Sequence, residues 1–264
     1  MRLLRQRWLQ ILLGGLVLLL LLEEALVSTG DPIYLPSVIC LGAFLVPVAF
    51  TTYLYDRLPE AGFPLPPVAV CFVGGGAIGM AVARTLEYEV LRALGTVPLL
   101  LVGFVEEGAK LLFPLLFFFA GRYRSEAAGI ILGVSTGMGF AAFESMGYGF
   151  VTVLESNENL ARLDEVLLVR GLTSPAGHAA WTGLVTAALW QERLRAGRPV
   201  INRRVVGAFL LAVVLHALWD TFISLRGPTL IESLGSDLAS GLIALASLAL
   251  LIVQIRRAER QLGA

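Results

Sequence analysis

"TVPLLLVGFVEEGAKLLFPLLFFFAG", residues 96–121, decides the class of fold. It is an apolar run long enough to cross a bilayer, which takes about 20 helical residues. Yet Glu106, Glu107 and Lys110 sit on one turn at its middle. A charge at the centre of a membrane helix costs about 2.5–3.5 kcal/mol on insertion scales, so three together need partners and a purpose. The whole chain shares the apolar bias: 264 residues, 57% hydrophobic, 15% charged, mean hydropathy +0.80. That composition excludes an ordinary soluble domain and indicates a polytopic membrane protein. The formal net charge is zero and there is no basic tail, which argues against nucleic acid as a partner. Cys40 and Cys71 lie in apolar runs and read as small buried hydrophobes, not as a disulfide or a metal cluster.

Working outward, apolar runs predict an all-α bundle of about eight transmembrane helices, at roughly 8–22, 33–55, 66–86, 96–119, 126–151, 172–190, 204–225 and 229–254. Residues 1–264 read as a single integral membrane domain. The first run, after "MRLLRQRW", has the look of a signal peptide, but no small-x-small cleavage site follows, so a retained anchor is the expectation. Arginine sets the orientation. With the N-terminus in the cytoplasm, 14 arginines fall in inner segments and 5 in outer ones, the latter being Arg84, Arg92, Arg162, Arg170 and Arg226. The loop "QERLRAGRPVINRR" is the strongest vote for an N-in/C-in topology. The longest outer loop, "ESNENLARLDEVLLVRG", is acidic and mildly amphipathic and is expected to lie on the outer surface as a short helix.

Polar residues inside the spans concentrate in the fourth to seventh, residues 96–225, which mark the expected catalytic core. Glu144 lies in the fifth span, His178 in the sixth, and His216 and Asp220 in the seventh. With about 1.5 Å of rise per residue, Glu107 and His216 fall roughly 13 Å below the outer boundary, and Glu144 and His178 roughly 10–11 Å. Four segments of alternating direction thus bring their polar groups to one level in the outer half of the bilayer. The i, i+4 spacing aligns His216 with Asp220 and Glu106 with Lys110, and i, i+3 adds Glu107 with Lys110. Glycines at 129, 133 and 137, and at 75 and 79, form stripes that let a neighbouring helix approach closely.

Taken singly, Glu144 and each histidine read as hydrogen-bonded packing groups, Asp220 as an interfacial cap, and Phe140 as packing four residues before Glu144. Ser174, before Pro175, reads as a cap for the sixth span. The shared depth is what favours a site. Two imidazoles and a carboxylate make a three-ligand zinc set that leaves a position for water, and a further buried carboxylate can serve as general base: metal-assisted hydrolysis. A proton-coupled transporter would also hold such groups, but would need a polar path to both faces. A non-catalytic membrane scaffold is the third reading.

In order, the motifs read Glu106-Glu107-Gly-Ala-Lys110, Phe140-Ala-Ala-Phe-Glu144, His178, and His216-Ala-Leu-Trp-Asp220. This set resembles the PrsW family of intramembrane metalloproteases, with its EExxK, FxxxE, lone histidine and HxxxD. It is more distantly similar to CAAX prenyl endopeptidases, which carry EExxxR and FxxxH instead, and to a scaffold subunit of γ-secretase. The resemblance implies a multi-pass protein of the bacterial cell membrane, set in the lipid bilayer. It also implies site-1 cleavage of an anti-sigma factor or a similar single-pass membrane protein on the extracytoplasmic side. For the residues it implies Glu107 as general base, Glu106 partnering it or polarising the scissile carbonyl, and Lys110 holding the pair. Glu144, His178 and His216 would bind zinc, with Asp220 supporting them from behind or serving as an alternative ligand, and Phe140 behind them.

Overall fold

Among the described residues, six helices are long and apolar enough to cross a membrane, and they set the frame of the computed structural model. Residues 6–58, 63–156, 159–227 and 229–263 are described, and none of them is in a strand. The elements are α1 (Arg7–Thr29), α2 (Leu35–Arg57), α3 (Leu65–Leu94), α4 (Leu99–Lys110), α5 (Leu112–Phe119), α6 (Glu126–Glu155), α7 (Leu160–Thr173), α8 (Ala180–Ala196), α9 (Arg203–Ser224) and α10 (Leu230–Leu262). The six long ones are α1, α2 with its leading turn, α3, α6, α9 and most of α10. Their outer faces expose large apolar side chains such as Leu21, Leu154 and Leu242, a surface suited to lipid rather than water.

The other two expected spans, 96–119 and 172–190, are helical but interrupted. Pro114 has no N–H to give the Lys110 carbonyl, so the helix breaks at Leu111 into pieces of 12 and 8 residues. In the second, Pro175 opens a π-helical turn, Pro175–Ala179, in which the Ala179 N–H reaches back five residues to the Ser174 carbonyl at 3.2 Å. Ser174 does not cap a helix start as expected. Its backbone is already helical, and its hydroxyl donates to the Arg170 carbonyl at 2.5 Å.

α6 is the axis of the bundle, with 94% of its most apolar window buried. Its glycine stripe explains how a helix can be so enclosed. A Cβ at Gly129 would meet the Trp190 ring at 2.6 Å, and Gly133 and Gly137 lie against Thr186 and the His178 backbone, so the stripe beds α6 on α8 and the π turn. On another side, Gly139 touches the Phe72 carbonyl and Gly75 lies against Thr136, which draws in α3.

The segment expected as a short amphipathic helix forms one, α7: Leu163, Leu167 and Gly171, spaced by four, make an apolar face packed against α2 and α6, while Arg162, Asp164 and Glu165 face outward. One further expectation is corrected. Of the free cysteines, Cys71 is buried but Cys40 faces outward from α2.

Candidate active site

Between α3, α4, α6, the π turn and α9 lies a cavity of about 510 Å³. Glu106, Glu144, His178, His216 and Asp220 line it, as do Arg84, Glu87 and Arg170. Val102, Trp219 and Ile223 contribute apolar wall. Motif residues from separate helices therefore converge on one cavity.

Lys110 is the hub. Fully buried, it donates to Glu107 Oε1 at 2.8 Å and Glu106 Oε2 at 3.3 Å, and its Nζ sits 4.4 Å from the centre of the Phe140 ring. The i+3 and i+4 spacing places both carboxylates within reach of one ammonium, and the aromatic face supplies a further soft contact. The two glutamates then diverge. Glu106 reaches the cavity, whereas Glu107 does not line it. Glu107 Oε1 is 2.9 Å from His216 Nδ1, and its Oε2 accepts from Thr182 at 3.4 Å.

His216 is held on all sides. With a proton on Nδ1, the ring donates to the Glu107 carboxylate and turns Nε2 toward the cavity. Nε2 lies 3.4 Å from Asp220 Oδ2 and 3.6 Å from Glu106 Oε2. Trp181 stacks on the ring at 4.7 Å and fixes its plane. His178, presented by the π turn, stacks on Phe140, and its Nε2 is 3.5 Å from Glu144 Oε2.

The donors that cluster most tightly are Glu106, Glu144 and His178, each offering a ligand atom within 4.8 Å of the others. The expected set was Glu144, His178 and His216; Glu106 joins Glu144 and His178 in this cluster, and His216 lines the same cavity with its Nε2 3.6 Å from Glu106 Oε2. The charge of the site fits a divalent cation. Among the described residues five carboxylates (Glu87, Glu106, Glu107, Glu144, Asp220) are formally accompanied by Arg84, Lys110 and Arg170, leaving two negative charges that such an ion would balance.

Arg84, Glu87 and Arg170 were missed from the sequence. The polar set is not confined to the fourth to seventh spans, since α3 contributes Arg84 and Glu87. Both were visible: Arg84 falls inside the expected third span, with Glu87 one turn on. The arginine count placed Arg84 and Arg170 in outer segments, and Glu87 was given no role.

A bundle of membrane-length helices thus encloses a buried cluster of carboxylates and histidines, the arrangement of an integral membrane protein with a polar site inside it. The sequence profile of the PrsW family intramembrane metalloproteases matches residues 64–253, and the chain belongs to that family. No curated protein and no solved structure matches the chain. As a member it is a metalloendopeptidase that acts on membrane-embedded protein within the bilayer.

Proposed function

We propose that the chain performs site-1 cleavage of a single-pass membrane protein of the anti-sigma-factor type. The cut falls on the extracytoplasmic side of a bacterial plasma membrane, with both termini of the enzyme inside, and zinc is the metal. The observation that carries the reading is the convergence of Glu106, Glu144 and His178 within 4.8 Å at the cavity. The arginine asymmetry supports the side of cleavage.

Glu106, Glu144 and His178 would hold the zinc, which supplies Lewis acidity to polarise the scissile carbonyl and make water easier to deprotonate. His216 Nε2 takes the proton from the attacking water. Glu107, bonded to Nδ1, fixes the imidazole tautomer and balances the imidazolium that forms, the orienting role a carboxylate plays beside a catalytic histidine. The same proton then passes to the leaving amine. Lys110 fixes both glutamates. The apolar wall seats an unwound stretch of substrate and limits water. Relative to the roles the motif resemblance implies, His216 becomes the base, Glu107 its orienting partner, and Glu106 takes the place of His216 among the ligands.

Metal content and cleavage of a single-pass substrate, measured on the same preparations, test it. His178→Ala should lose both zinc and activity. His216→Ala should keep zinc and lose cleavage by about 10²–10⁴-fold. Zinc lost from His216→Ala would return that residue to the ligand set. Full cleavage by both variants would end the protease reading of this cavity.

A further inference from the structure

Glu144 is enclosed by two arginines that belong to none of the family motifs quoted above. Arg84, from α3, pairs with Glu144 Oε1, and it also reaches Glu87 at 2.8 Å and Glu106 Oε1 at 3.7 Å. Arg170, from the last turn of α7, donates through Nη2 to Glu144 Oε2 at 2.7 Å and through Nε to the Ser145 hydroxyl at 3.0 Å. Tyr148, one turn beyond Glu144, lies under both guanidinium groups, 4.2 Å from Arg170 and 5.9 Å from Arg84. Each carboxylate oxygen thus has its own arginine, and each arginine has a second anchor.

From this geometry we infer that Arg84 and Arg170 are positioning residues that clamp the Glu144 carboxylate in the orientation that faces His178 and Glu106. A carboxylate oxygen has two lone pairs, so one can accept from a guanidinium while the other faces a cation. A planar fork bonded on two sides removes the rotational freedom a lone glutamate would have. The clamp also assigns a task to α7. Its apolar face fixes it between α2 and α6, and that seating aims Arg170 at the site. The inference rests on Glu144 belonging to the metal set proposed above.

The test uses the full chain, stripped of metal, with the zinc dissociation constant measured by chelator competition alongside kcat and KM. Partners that orient a metal ligand are worth about 10–100-fold in affinity or turnover. Arg170→Ala should weaken zinc binding and lower kcat within that range while KM changes less than about 2-fold on the same reasoning. Arg170→Lys keeps the charge but not the fork and should recover only part. In a Glu144→Gln background, Arg170→Ala should change zinc affinity no further, because its effect runs through Glu144. Ser145→Ala frees one of the two Arg170 anchors, leaves every charge in place, and should show the same pattern at smaller size if Arg170→Ala does not fold. Additive losses in the double variant, or a change in KM alone, would overturn the clamp. Unchanged zinc affinity in Glu144→Gln itself would instead remove Glu144 from the metal set.

Discussion

Lys110 satisfies two carboxylates from a position with no exposed surface, and the consequence of removing it follows from that. Lys110→Met keeps the length of the side chain but leaves Glu106 and Glu107 uncompensated and adjacent. Breaking a buried pair on one side costs about 3–5 kcal/mol. The expected result is a lower unfolding midpoint in detergent and reduced membrane abundance; an unchanged midpoint would contradict the buried hub. Glu107→Gln addresses chemistry rather than stability. The amide can donate to Nδ1 and so displace the proton to Nε2, the atom required to accept one. Cleavage should fall by about 10²–10⁴-fold with zinc retained, whereas Glu106→Gln should lower zinc occupancy. Equal zinc loss in both variants would refute the division of labour between the two glutamates. Much of this site was legible in the sequence, because i+3 and i+4 spacings state which side chains share a face. What spacing cannot state is which of two adjacent glutamates turns toward the cavity. That was settled by His216 and Thr182 on other helices drawing Glu107 away.

At the scale of elements, the segments that supply Glu106, Glu107, Lys110 and His178 are the two interrupted ones. Pro114 and Pro175 were plain in the sequence, but a depth calculation that assumes smooth rise passes over both. The π turn is what carries His178 to the cavity wall from a helix whose next turns pack on α6. The glycine stripe was legible as a close-approach surface, though not its partner, which only the packing of α6 on α8 reveals. Gly133→Ala would set a methyl against the Thr186 hydroxyl. Overpacking of this kind costs about 1–3 kcal/mol, so the thermal midpoint should drop, and adding Thr186→Ala should recover part of it. A midpoint that stays put in the single variant would show that the two helices have slack between them.

For the molecule as a whole, the arginine distribution makes the orientation testable without any knowledge of substrate. A reporter joined after residue 198 should signal from the cytoplasm, and one after residue 160 from the other side; the reverse pair would move the cavity to the inner half of the bilayer. The family match over residues 64–253 takes in every residue of the cavity, including those of α3 that the 96–225 core left out. One further consequence comes from the hub. Lys110 is the chain's single lysine, and it has no accessible surface. In the folded state the Lys110 amine is therefore closed to acylating reagents, and its modification must pass through an opening of the active site. The rate of Lys110 modification, followed by mass spectrometry, should thus report how often the catalytic centre comes apart, and tight binding of the metal or of an inhibitor should slow it. Rapid acylation of the native, metal-loaded enzyme would mean that the amine lies open to reagent after all.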